Sequence, residues 1–214
     1  MNLPNKLSLA RICLIPFFVV AYFLPYTWAV YVATSIFVLA SITDFLDGYI
    51  ARKYNMVTDL GKLLDPIADK VLVCAALFCV VATNPLGHGT QLIAFKTIVS
   101  YYKFGQIFLT VGAILIIARE LIISVVRQVA AAKSIVLHAN IYGKIKTVLQ
   151  VIALPMIILL KAETFDFTSS VVRPGFFDYL WIAAVVFFFL SVVMTIVSGV
   201  IYLVQNIKVF AQND

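Results

Sequence analysis

The sequence predicts an all-α integral membrane protein, and three observations carry that reading. Apolar side chains make up 63% of the chain and charged ones only 12%, with a mean hydropathy of +1.05, a composition foreign to a soluble domain with a single core. Six apolar runs approach the length of about 20 residues that a helix needs to cross a bilayer. No internal repeat, low-complexity tract or separate soluble domain interrupts them, so residues 1–214 read as one membrane domain.

The runs lie near residues 7–25, 29–50, 67–83, 106–127, 147–161 and 179–203. Ahead of the first, residues 1–10 set Pro4, Asn5, Lys6 and Ser8 among leucines and read as a short interfacial N-terminal helix at headgroup depth. Pro25 to Trp28 forms a tight turn, and Tyr26, Trp28 and Tyr31 fall where an aromatic belt anchors a membrane protein. After the second run, Lys53 to Leu64 is polar and reads as a connection. Asp65-Pro66 then reads as the start of the third helix, because proline suits the first helical position and a preceding aspartate caps free N–H groups. Residues 84–105, with Pro85, Gly87 and Gly89, read as a loop with an interfacial helix. The fifth run is short and extends back through polar residues; the sixth is long and apolar.

Charge orients these elements. Lys6, Arg11, Arg52, Lys53, Lys62, Lys70, Arg119, Arg127, Lys133, Lys144, Lys146 and Lys208 share one side, against Lys96, Lys103, Lys161 and Arg173 on the other. The positive-inside bias then puts both termini at the cytoplasmic face of an inner membrane. The net charge of +6 is accounted for by that bias and calls for no nucleic-acid partner. Cys13, Cys74 and Cys79 all sit in apolar stretches and read as small packing residues rather than a disulfide framework. His88 and His138 lack a second histidine at i+3 or i+4 and read as loop residues rather than metal ligands. The N-terminus has a basic start and an apolar run without a small-x-small cleavage site, so it reads as retained.

The chemistry-bearing feature is the run Asp44-x2-Asp47-Gly48-x2-Ala51-Arg52-x8-Gly61-x3-Asp65-x3-Asp69. Acids at membrane depth are costly unless paired or ligated. Asp44 and Asp47 are three apart and Asp65 and Asp69 four apart, so each pair shares a helical face. Opposed, the two faces make a four-carboxylate pocket whose all-oxygen donors suit Mg²⁺ or Mn²⁺ rather than zinc. Two such metals can bridge phosphate oxygens and support an in-line displacement. Gly48 and Gly61 allow a ligand close to the backbone, and Arg52 and Thr58 add a phosphate donor and a hydroxyl at the rim. Helix capping and pairing with Arg52, Lys62 and Lys70 would explain single acids, not this long pattern.

Those residues resemble, at every position, the motif of the CDP-alcohol phosphotransferase family (class I CDP-alcohol phosphatidyltransferases). The resemblance implies six transmembrane helices around a cytoplasm-facing polar cavity, two divalent cations, a CDP-linked donor, an alcohol acceptor and a homodimer. It also implies roles: Asp44, Asp47, Asp65 and Asp69 as metal ligands, with Asp69 doubling as the catalytic base toward the acceptor hydroxyl. Gly48, Arg52, Thr58 and Gly61 would lie against the CDP moiety. A carboxylate beside two cations is a weak base, so the hydroxyl itself must be acidified.

The acceptor is read from the remaining polar residues. Arg119 and Arg127 are eight apart, two turns on one helical face, and Lys144 and Lys146 follow in the next run. Arginine forks match phosphate oxygens, so this set reads as an acceptor phosphate-binding site, with glycerol 3-phosphate fitting well; contact with anionic lipid is the plainer alternative. Pro4-Asn5-Lys6-Leu7-x3-Arg11, Ala118-Arg119-Glu120, Arg127 and Gly143-Lys144-x-Lys146-Thr147 resemble the bacterial branch of the family that joins CDP-diacylglycerol to glycerol 3-phosphate. That branch implies Asn5 as a cytidine contact. A sibling transferase using inositol phosphate, phosphatidylglycerol or serine is the alternative within the family. A divalent-cation transporter is the alternative outside it, but such a protein places acids near the midplane and often repeats its halves.

Overall fold

A computed structural model of the chain describes residues 3–53, 59–88, 101–132, 141–162 and 176–211. Among these residues the protein is all-helical: α1 (Leu3–Phe23), α2 (Thr27–Lys53), α3 (Asp59–Thr83), a 3₁₀ turn at Pro85–His88, α4 (Tyr101–Ala132), α5 (Ile141–Leu160) and α6 (Phe176–Ala211). Four helical segments are long and apolar enough to cross a membrane: Thr27–Phe45, Gly105–Ala130, Ile141–Leu160 and Asp178–Gln205. Ser8–Phe23 and Lys70–Thr83 are shorter apolar helices, flanked by the polar residues of the amino-terminal segment and of the aspartate motif.

The boundaries correct three expectations. α1 runs unbroken from Leu3, so the amino-terminal segment continues the first apolar helix rather than forming a helix of its own. α3 begins at Asp59, and Asp65 and Pro66 lie inside it, not at its start. A proline beyond the first turn removes one intrahelical hydrogen bond, which membrane helices accommodate through local adjustments and neighbouring groups. α4 begins at Tyr101, so Tyr101–Gly105 are helical, and of the remaining 84–105 segment only Asn84–His88 is described.

The helices bury small and aromatic residues against one another and turn large apolar ones outward. Ala29, Ala33, Phe37 and Ala40 are fully buried on α2, at spacings that keep them on one face. The alanines let α1 approach, and Phe18 of α1 reaches Phe37 with ring centroids 6.1 Å apart. α5 and α6 share the most extensive contact, and α1 packs on both α2 and α3. On α4, Gly112 admits the Phe188 ring of α6 so closely that a Cβ there would stand 2.5 Å from it. Phe17, Val20, Phe45, Ile107, Ile114 and Phe189 are each more than half exposed. A water-soluble protein does not present such a surface, whereas lipid tails solvate it at no cost.

Helix direction alternates, and contacts pin the two ends differently. At one end the Tyr22 hydroxyl meets Thr83 Oγ1 at 2.5 Å, and Lys161 donates to the Tyr22 carbonyl while its ammonium lies 4.3 Å from the Tyr22 ring centroid. Asn84 turns the chain there at φ 46°, and Trp181 donates to the Leu86 carbonyl at 3.1 Å. Tyr26 and Trp28 stack at 5.8 Å at the same end, exposed as an aromatic anchor should be. The opposite end carries the amino-terminal halves of α1, α3 and α5 and the carboxy-terminal halves of α2, α4 and α6. There the polar residues gather.

Candidate functional site

The aspartate motif occupies the last turns of α2 and the first half of α3. Asp44, Asp47, Gly48 and Arg52 lie on α2, and Gly61, Asp65 and Asp69 on α3. The backbone keeps the register that spacing predicts, three residues within one pair and four within the other. Of these side chains Asp44 is the described one; those of Asp47, Arg52, Asp65 and Asp69, like the Asn5 side chain and the whole of Thr58, lie outside the described residues. Among the described residues no three His, Cys, Asp or Glu side chains come together.

Asp44 has a partner that spacing does not reveal. The guanidinium of Arg11, on α1, pairs with Asp44 Oδ1. Arg11 is 1% exposed and the Asp44 side chain 35%, so the cation is sunk in the bundle while the carboxylate faces outward from it. Removing one member of a buried ion pair costs more than the intact pair contributes. α1 therefore holds one carboxylate of the motif in place.

A second polar cluster forms from α4, α5 and α6. Lys146 of α5 is 2% exposed and its ammonium contacts Glu120 Oε1 of α4. The same oxygen lies 3.5 Å from Arg119 Nη1. Arg119 also donates from Nη2 to Ser198 Oγ of α6 at 3.1 Å, while its buried Nε has no hydrogen-bond partner among the described residues. The fork is cradled by two glycines: a Cβ on Gly199 would meet Arg119 Cγ at 3.2 Å, and one on Gly143 would meet Nη2 at 3.7 Å. Two turns along α4, Arg127 is exposed and sets its guanidinium 5.6 Å above the Tyr202 ring.

Of the four expected phosphate ligands, then, Arg119 and Lys146 meet through one carboxylate, Arg127 lies along the same α4–α6 seam, and Lys144 is exposed to its surroundings. Lys146 is buried against Glu120.

The whole chain was compared with known proteins. A family model of CDP-alcohol phosphatidyltransferases matches residues 1–197. The chain belongs to the CDP-alcohol phosphatidyltransferase family. Among curated relatives, the CDP-diacylglycerol–glycerol-3-phosphate 3-phosphatidyltransferase of Bacillus subtilis strain 168 is 37% identical, the match covering 96% of this chain and 95% of that protein. The proteins of the same name from Salmonella typhimurium strain LT2 and Escherichia coli K12 are 35% and 34% identical, each match covering 94% of this chain and 93% of the relative.

Within this phosphatidyltransferase, several residues gain a part that pattern reading did not give them. Arg11 was legible only as a flanking basic residue, and its pairing with Asp44 bridges 33 positions. Ser198 and Gly199 look like ordinary small residues of an apolar helix. Only their placement against Arg119 distinguishes them. Glu120 is the exception, since its place beside Arg119 in the sequence already reads as orienting that arginine; its contact with Lys146 is the new part.

Proposed function

We propose that the protein is a phosphatidylglycerophosphate synthase, transferring the phosphatidyl group of CDP-diacylglycerol to glycerol 3-phosphate and releasing CMP. The observation that carries this reading is the meeting of Arg119 and Lys146 from different helices, in the same half of the bundle as the aspartate motif. A neutral acceptor needs no such pair, whereas an acceptor with its own phosphate does. The names of the relatives point the same way.

The carboxylate donor set fits a pair of hard divalent cations, having no nitrogen or sulfur that would favour zinc. Asp44, Asp47, Asp65 and Asp69 would hold two ions, Mg²⁺ or Mn²⁺, which when bound neutralise diphosphate charge and acidify a nearby hydroxyl. Gly48, Arg52, Thr58 and Gly61 lie against the CDP moiety, and Asn5 against the cytosine. Arg119, Arg127, Lys144 and Lys146 orient the phosphate of the acceptor. The primary hydroxyl of glycerol 3-phosphate then forms its bond to the phosphorus that bears diacylglycerol, and Asp69 takes the proton. The bridging P–O bond to CMP breaks, and the electron pair leaves with CMP. Positioning and charge neutralisation supply most of the rate, as in phosphoryl transfer generally.

In this reading the helices form six spans around a cavity open to the cytoplasm, the enzyme sits in the inner membrane as a homodimer, and acyl chains stay in the bilayer throughout. The test is CMP release by purified protein in detergent with CDP-diacylglycerol and Mg²⁺, offering glycerol 3-phosphate, serine, inositol phosphate or phosphatidylglycerol, alongside Asp69→Asn. Release with glycerol 3-phosphate alone, abolished in Asp69→Asn, is expected. Turnover with another acceptor would sink the acceptor assignment, and folded protein inactive with all four would sink the reaction.

A further inference from the structure

A carboxylate inside a phosphate site works against its ligand by Coulomb's law, yet Glu120 stands between the two cations that the acceptor site brings together. One oxygen of Glu120 touches the Lys146 ammonium and lies 3.5 Å from Arg119 Nη1. Lys146 is 2% exposed, so it has surrendered most of its hydration, and a nearby counter-charge offsets that cost. Arg119 is fixed on its other side by Ser198 at 3.1 Å. Glu120 is itself steadied by its helix, where Ser124 Oγ donates to the Glu120 carbonyl at 2.5 Å.

We infer that Glu120 is a positioning residue for the acceptor: it holds Lys146 and Arg119 at a fixed separation, so that glycerol 3-phosphate meets a preformed pair of donors. The inference rests on the acceptor site proposed above. Preorganisation of this kind removes an ordering cost at the moment of binding. A bystander carboxylate would do the opposite: it would only repel the phosphate, and neutralising it would tighten binding.

The two roles therefore differ in sign. In the full-length enzyme in detergent, Glu120→Gln is expected to raise KM for glycerol 3-phosphate by about tenfold or more, the scale of one charge-assisted contact, and to change KM for CDP-diacylglycerol less than twofold. Glu120→Asp should recover part of the loss. Because Glu120→Gln takes a carboxylate away from a buried ammonium and is prone to unfold, the double variant Glu120→Gln/Lys146→Gln is measured beside Lys146→Gln. Its KM for glycerol 3-phosphate should exceed that of Lys146→Gln by a smaller factor than Glu120→Gln exceeds the wild type, since of the two groups that Glu120 positions only Arg119 is left. A fall in that KM on Glu120→Gln, equal changes for both substrates, or strictly additive effects in the double variant would overturn the inference. If Arg119→Gln and Lys146→Gln leave the glycerol 3-phosphate KM unchanged, the acceptor site itself is wrong. If they raise it and Glu120→Gln does not, only the role of Glu120 falls.

Discussion

Arg11 on α1 and Asp44 on α2 form an ion pair in which the cation is buried and the carboxylate half-exposed. The pair ties the amino-terminal helix to the aspartate motif. Asp44→Asn, which takes a carboxylate away from a buried guanidinium, should lower stability by about 1–3 kcal/mol and weaken Mn²⁺ binding. The double variant Arg11→Met/Asp44→Asn should regain most of the stability, because neither charge is left alone, without regaining CMP release. Thermal melting in detergent separates the two effects. Equal melting temperatures for Asp44→Asn and the wild type would show that the pair contributes nothing to stability.

Gly112 lets α4 lie against α6 with no room for a side chain between them. A Cβ there would stand 2.5 Å from Phe188 Cε1 and 3.1 Å from Val192 Cγ2, and Phe188 is 1% exposed with its ring already edge-on to Phe108 at 5.4 Å. The ring has no open side to turn into. Gly112→Ala should therefore cost about 1–3 kcal/mol, the usual penalty of overpacking, and adding Phe188→Leu should recover part of it. The check is again a melting temperature; a neutral Gly112→Ala would mean the helices separate freely at this level.

Metal removal tests the donor chemistry of Asp44, Asp47, Asp65 and Asp69. Chelation should abolish CMP release, and Mg²⁺ or Mn²⁺ should restore it, while Zn²⁺ should not, because an all-carboxylate set offers none of the nitrogen or sulfur that zinc favours. Full activity after exhaustive chelation would remove the metals from the mechanism.

How far all this was legible beforehand depends on the range over which each signal acts. The six helices follow from apolar length, a local property, and the aspartate motif follows from spacing along two of them. The start of α3 was misread because Asp65-Pro66 carries the local chemistry of a helix start, yet a helix already under way from Asp59 tolerates it. The pairs Arg11–Asp44 and Lys146–Glu120 were out of reach for a different reason. Each joins separate helices, and nothing in a spacing of 33 residues says which faces will meet. Arg119 was found by its type, whereas its cradle of Ser198 and Gly199 carries no chemical signature until α6 is laid against α4.

That cradle supplies the last prediction. Gly199 leaves room for the Arg119 stem, and a Cβ there would lie 3.2 Å from Arg119 Cγ, a contact that the side chain can relieve by shifting a few tenths of an ångström. The helix loses nothing by the change, since alanine is the better helix former by about 1 kcal/mol. Gly199→Ala should therefore leave the melting temperature level or slightly raised while moving the guanidinium away from Ser198. Its expected signature is a rise of about threefold to tenfold in KM for glycerol 3-phosphate, of the order of a weakened hydrogen bond, with KM for CDP-diacylglycerol unchanged. Ser198→Ala should act in the same direction by removing the acceptor of that bond. A loss of stability without a change in KM would instead make Gly199 a packing residue with no part in acceptor binding.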